Sequence, residues 1–195
     1  QTCALPICNA DDTVVGVGEQ LKKVLEEKYH VAVCHDLSVY DMQDGKEDRN
    51  KAYSQAAVAV QNLLDEHPSI EVTIDLHRDG VPDNVHLETE INGKKTAKIM
   101  FLNGLCRNSN GDVNDFAQNP NLSDNLAFSL QLQLKAKAYF PELVRHIYLR
   151  AYRYNLHFKP RSLLVEVGAQ NNTVAEAKNA MEPLADILYA VLSGK

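Results

Sequence analysis

From Thr13 to Tyr29 the apolar residues Val14, Val17, Leu21, Val24 and Leu25 recur at helical spacing, which predicts an amphipathic first helix. "HVAVCHDL" (30–37) reads as a strand. "KEDRNKAYSQAAVAVQNLLDEH" (46–67) reads as a second helix whose Ala52, Ala56, Val60, Leu63 and Leu64 form the buried stripe, with Pro68 ending it. "IEVTIDLH" (70–77) is the next strand. "NVHLETEINGKKTAKIMFLNG" (84–104) reads as a hairpin turning on Asn92 and Gly93, a pair suited to two positive-φ positions. A long polar loop follows (106–121), of a length that in compact domains tends to be functional. A third helix is predicted over roughly 121–139, then strands in "HIYLRAYRYN" (146–155) and "SLLVEVG" (162–168). Thr173 and Glu176 make a T-x-x-E capping box. Behind it Val174, Ala177, Met181, Leu184, Leu188 and Val191 predict a last helix kinked at Pro183. This alternation predicts one α/β domain, with a mixed, mostly parallel sheet flanked by helices and a β-hairpin insertion.

Charge narrows the function classes. The formal net charge is -6 with no Lys/Arg cluster, so the electrostatic footprint of a nucleic-acid partner is missing. No apolar run reaches the roughly 18 residues of a membrane span, and no signal-peptide pattern stands at the start. Cys3, Cys8, Cys34 and Cys106 have neither C-x-x-C nor metal-finger spacing and read as inert thiols. The first eight residues, "QTCALPIC", back-translate into a string resembling a sequencing-library adapter. They are expected to be a non-native segment (1–8), with the domain proper at 9–195.

Two residues break their surroundings. In "VTIDLH", Val72, Ile74 and Leu76 take one face while Asp75 and His77 share the other; in "LLVEVG", Leu163, Val165 and Val167 leave Glu166 alone on the opposite side. A carboxylate amid aliphatic surface is costly unless a cation, a metal or hydrogen bonds compensate. A histidine and a carboxylate at strand ends suit a metal hydrolase, one as ligand and one as base. The plainer alternatives are a hydrogen-bonded histidine and a Glu166 salt-bridged to Arg145, Arg150 or Arg153. No H-E-x-x-H, G-x-S-x-G or P-loop suggests other chemistry, and Gly16 and Gly18 do not form G-x-G-x-x-G.

"VVGVGEQL", "AYSQAAVAVQNLL", "IDLHRDG", "AKIMFLNG" and "RYNLHFKPRSLLVEVGAQNNTVAEAKNAMEPLA", in this order from about Asp12 to Leu192, resemble the stage II sporulation protein P family, related in fold to the zinc N-acetylmuramoyl-L-alanine amidases. The resemblance implies a peptidoglycan hydrolase that cuts the amide between N-acetylmuramic acid and L-alanine and is also credited with cutting peptide cross-links. It implies His77 as the last histidine ligand of Zn²⁺ and Glu166 as the catalytic base, with Asp75 orienting His77. Arg78 would grip a substrate carboxylate or else bond Asp75 or Asp79; Asn155 and Asn172 would meet substrate amides. The implied setting is outside the cytoplasmic membrane, in a membrane-anchored parent whose anchor is absent from this sequence, beside a glycan-cleaving sporulation partner.

One departure matters. The family's first ligands, a His-Thr-His motif and a Glu, precede the first helix, and between Asn9 and Asp12 there is neither His nor Glu. The chain is therefore expected to lack the N-terminal ligand strand, to bind zinc poorly and to be inactive. The alternative reading is a noncatalytic wall-binding or scaffold module. Of the other histidines, His35 is a weak substitute ligand, His86 a surface residue and His157 a candidate cleft residue, while His30, His67 and His146 read as exposed or capping positions.

Overall fold

The computed structural model describes residues 9–43, 46–47 and 49–195, without the side chains of 42–50. The expected adapter-derived segment lies outside the described residues. The chain begins with α1 (Val14–Tyr29), capped by the Thr13 hydroxyl, which accepts from Val15 N at 3.1 Å, and closed by His30 in the left-handed region at φ 55°. Its buried residues are Gly16, Val17, Leu21 and Leu25. A Cβ at Gly16 would lie 2.1 Å from the Asp11 carbonyl oxygen, so this glycine permits backbone contact and serves no cofactor loop.

Short strands β1 (Met42–Gln43) and β2 (Lys46–Glu47) pair antiparallel and precede α2 (Arg49–Glu66). Then come β3 (Val72–Asp79), β4 (Glu88–Ile91), β5 (Lys94–Ala97), β6 (Ile99–Gly104), α3 (Leu122–Tyr139), β7 (Tyr148–Arg150), β8 (Arg161–Ala169), α4 (Val174–Asn179) and α5 (Met181–Leu192). The main sheet has the order β3-β8-β6-β7. Its β3–β8 and β6–β7 pairings are parallel and the central β8–β6 pairing is antiparallel. The sheet is thus mixed with mostly parallel pairing. The β4–β5 hairpin stands apart, turning on Asn92 (φ 52°) and Gly93 (φ 76°).

One face of the main sheet carries the core. Ile99 and Phe101 of β6 and Leu163, Val165 and Val167 of β8 are buried against α1, α3 and α5 through Val17, Leu21, Phe128, Leu132, Leu184 and Leu188, with Val72, Ile74 and Leu76 of β3 packed alongside. The other face holds a much smaller apolar group, Leu102, Leu156 and Leu164. It is this thinly covered face that receives the even-numbered side chains of β8 and the odd-numbered ones of β3.

Several expected elements differ. Residues 30–37 form no strand: Val31 and Val33 pack on the core in strand-like alternation, but among the described residues no ladder takes their backbone. The stretch 84–104 is not one hairpin, because β6 leaves β5 to pair with β8, where Phe101 is fully buried. Of 146–155 only Tyr148–Arg150 is strand, since Tyr154 and Asn155 adopt left-handed backbone that no ladder accepts. The last helix breaks at Ala180, before Pro183, which falls in the first turn of α5 where it removes no helical hydrogen bond. In the α2 stripe only Leu64 is fully buried.

Candidate active site

His77 near the end of β3 and Glu166 in β8 are register partners in the parallel ladder, so their side chains leave the sheet side by side on the thinly covered face. Asp75 precedes His77 on that face, and its Oδ1 lies 2.9 Å from His77 Nε2. With Nε2 so engaged, Nδ1 is the ring nitrogen left for a ligand. Burial, the largest single influence on this imidazole, favours the neutral ring. The hydrogen bond and charge of Asp75, together with the charge of Glu166, outweigh it and raise the His77 pKa.

Glu166 sits beside Leu164 and across the antiparallel ladder from Met100, both buried. Its Oε2 is buried and accepts no hydrogen bond. Burial, reinforced by Asp79 and Asp75 against the attraction of His77 and Arg145, pushes its pKa up to about 7. The salt bridges considered for it do not form. Arg145 Nη1 bonds Asp79 Oδ2 at 2.6 Å, Arg150 Nη1 bonds the Tyr148 hydroxyl at 3.1 Å, and Arg153 makes no ion pair.

Above the pair stands Tyr53 of α2, its ring nearly parallel to that of His77 with centroids 6.4 Å apart. Tyr154 meets Tyr53 edge-on at 5.5 Å, and Asn155 Nδ2 donates to the Tyr53 carbonyl at 2.7 Å. Burial, then Asp75, raises the Tyr53 pKa, keeping the phenol protonated. Periodicity gave no sign of Tyr53, which lies beside the small Ala52 and Ala56 on the same helix. Asp79 and Arg145 close the end of β3 in the same way, unmarked by any motif.

The remaining candidates lie elsewhere. Arg78 points to the other side of β3 and donates from Nη2 to the carbonyl oxygens of Ala169, at 2.7 Å, and Asn172, bracing the turn after β8. Asn172 is buried in that turn. Its Oδ1 accepts from Ala169 N at 2.9 Å, and its Nδ2 donates to Leu87 O at 3.0 Å and Glu176 Oε2 at 2.9 Å. Asn155, by contrast, borders the site through Tyr53. His86 is held by Glu176 at 2.9 Å, and His35 by Glu19 at 3.0 Å. His157 stacks at 4.2 Å on Phe158, and its pKa is lowered to about 4 by burial and by Arg153.

The donor set fits a metal in part. His77 offers an imidazole nitrogen and Glu166 an orphaned carboxylate oxygen, yet among the described residues the one group of three metal-type side chains within mutual reach is His86, Glu88 and Glu176. There Glu176 Oε2 already accepts from His86, Asn172 and Thr173 N. Among the described residues no helix is long and apolar enough to cross a membrane.

The family model described as Stage II sporulation protein P (SpoIIP) matches residues 7–189. Among curated proteins none matches the chain. Among solved structures, the CwlD amidase of Clostridioides difficile, determined in complex with the GerS lipoprotein, superposes with a TM-score of 0.55 at 12% identity, covering 92% of this chain and 82% of that one. The N-acetylmuramyl-L-alanine amidase Ami1 of Mycobacterium smegmatis gives 0.48 at 14%, covering 91% and 72%. The catalytic domain of CwlV, an N-acetylmuramoyl-L-alanine amidase from Bacillus (Paenibacillus) polymyxa var. colistinus, gives 0.47 at 13%, covering 92% and 80%. The likeness to CwlD is one of fold.

Proposed function

Because this chain belongs to the stage II sporulation protein P family, we propose that it is a peptidoglycan hydrolase domain of sporulation, acting outside the cytoplasmic membrane on the amide between N-acetylmuramic acid and L-alanine. Glu166 is its general base and His77 one ligand of a catalytic zinc ion. The observation that carries this reading is the pairing of His77 and Glu166 in register on the open face of the sheet, with the Glu166 Oε2 left unbonded. A buried carboxylate without a partner is costly in a fold that needs it only for stability; as a proton acceptor it needs the free lone pair.

Each residue then has a task. Asp75 fixes the tautomer and direction of His77. Glu166 takes a proton from the attacking water and returns it to the departing alanine nitrogen. Tyr53 and Tyr154 wall the site and keep bulk water from it. Zinc, when bound, supplies Lewis acidity that acidifies water and polarises the scissile carbonyl.

Catalytic zinc sites use three protein ligands, and His77 with Glu166 falls short of that. The described residues alone are therefore expected to hold zinc weakly, and this shortage favours the second reading, a wall-binding module without catalysis. Incubating purified sacculi with the protein and zinc, beside a longer form that supplies further ligands, separates the two. Mass spectrometry should find stem peptides with a free alanine amino terminus from the longer form. Glu166→Gln in that form should lower their release at least about a hundredfold while zinc content stays unchanged. Sacculi that are bound but yield no such peptides from either form would establish the second reading.

A further inference from the structure

A recess of 320 Å³ opens between the 106–117 loop and Ala151–Arg153, lined among others by Cys106, Arg107, Asn114, Tyr152 and Arg153. Its charge is unusual for a protein of formal net charge -6. Arg145 and Arg161 pair with Asp79 and Glu71, whereas among the described residues neither Arg107 nor Arg153 has a carboxylate at ion-pair distance. Arg107 Nη1 reaches only the Gly111 carbonyl, at 3.5 Å. Both guanidinium groups bear on the Cys106 thiol, opposing the upward push that burial gives its pKa. The acids of the same loop face elsewhere: Asp112 accepts from Asn108 Nδ2 and Asp115 from Gln118, and neither lines the recess.

The backbone around the recess is held in conformations that L-residues avoid. Of the five described non-glycine residues with positive φ, His30 caps a helix and Asn92 turns a hairpin; the other three are Cys106, Tyr154 and Asn155, all on the recess or between it and His77. At Gly104 the end of β6 presses so closely on the following segment that a Cβ would lie 2.1 Å from the Tyr152 carbonyl oxygen. A continuous run of rings links this place to the reacting pair: Tyr152 to Tyr154 at 6.0 Å, Tyr154 to Tyr53 at 5.5 Å, and Tyr53 to His77 at 6.4 Å.

We infer that the recess is a carboxylate-binding subsite, in which Arg107 and Arg153 anchor an acidic group of the same peptide whose amide lies at His77 and Glu166, with Tyr152, Tyr154 and Tyr53 lining the path between. Guanidinium forks match a carboxylate bidentately, while a neutral occupant would leave two desolvated cations without counter-charge. The inference rests on the peptidoglycan reading for the identity of the peptide, but its test measures binding alone.

The probes are a stem-type tripeptide bearing free carboxylates and the same tripeptide fully amidated, titrated into the protein at low salt by calorimetry or NMR. The acid form is expected to bind about tenfold more tightly. Arg107→Gln and Arg153→Gln should each reduce that preference to about threefold or less, with melting temperatures checked for folding, while Arg161→Gln, far along β8 and paired with Glu71, leaves it intact. Equal affinity of wild-type protein for the two peptides would overturn the inference without any variant having to fold. So would a preference that survives both substitutions, or inorganic phosphate binding as tightly as the acid peptide. Missing hydrolysis would count against Glu166 and His77 as a catalytic pair and not against this subsite.

Discussion

Glu176 gathers three donors on one oxygen: His86 Nε2 at 2.9 Å, Asn172 Nδ2 at 2.9 Å and Thr173 N at 3.0 Å. Burial alone would raise its pKa, but the bonds from Asn172, Thr173 and His86 prevail and lower it. A carboxyl whose folded pKa is lowered contributes stability that is present above its ordinary value, 4.5, and is lost as pH falls through the folded one. Glu176→Gln should therefore cost about 2 kcal/mol at pH 7. In thermal melts the gap between wild type and variant should close as pH is lowered from about 5 to 3; a gap that is constant across this range would contradict the assignment. His77 and Glu166 were legible in sequence because a titratable group on an apolar strand violates the pattern around it. Tyr53 and Arg153 were not, because an aromatic on a helix and an arginine in a loop violate nothing, and only the fold brings them near the site.

Among the elements, those read correctly carry their own period or cap. The α1 stripe, the Asn92-Gly93 turn and the Thr173–Glu176 box are local signals, and the structure follows each. Misread elements depend on partners distant in sequence. Residues 30–37 alternate like a strand but no described strand bonds them, and β6 is claimed by β8 although "AKIMFLNG" reads as the second arm of a hairpin. The junction of β6 with the 151–155 segment gives a test at this scale. In Gly104→Ala the new methyl must displace the backbone of Tyr152 and Arg153, at an expected cost of about 1–3 kcal/mol. Because that segment carries Tyr154 and Asn155, the loss of stability should be accompanied by weakened peptide binding, seen together in melting curves and titrations. A drop in melting temperature with peptide affinity unchanged would show that the segment does not shape the site.

For the molecule as a whole, α1, α3 and α5 share the core face of the sheet, and His77 with Glu166 occupies the opposite one. Stability and site chemistry are therefore largely separate. A chelator should abolish whatever hydrolysis is present yet change the unfolding free energy by only about 1 kcal/mol or less, since ligand stabilisation near its dissociation constant is small. Collapse of the circular dichroism signal on metal removal would mean instead that an ion holds the fold. The α/β class was legible from alternating periodicities, but the antiparallel β8–β6 pairing was not, because no sequence period records strand direction.

The shared register of β3 and β8 also limits how this protein can change. Six consecutive rungs, from Val72 opposite Arg161 to His77 opposite Glu166, leave no slack to absorb a residue gained or lost. One insertion within either strand would rotate everything beyond it by half a turn, driving an imidazole or a carboxylate into the aliphatic layer and sending a valine or leucine out to meet solvent. Variation in length is thus confined to the connecting loops, and within the ladder the gene can exchange letters but not add them.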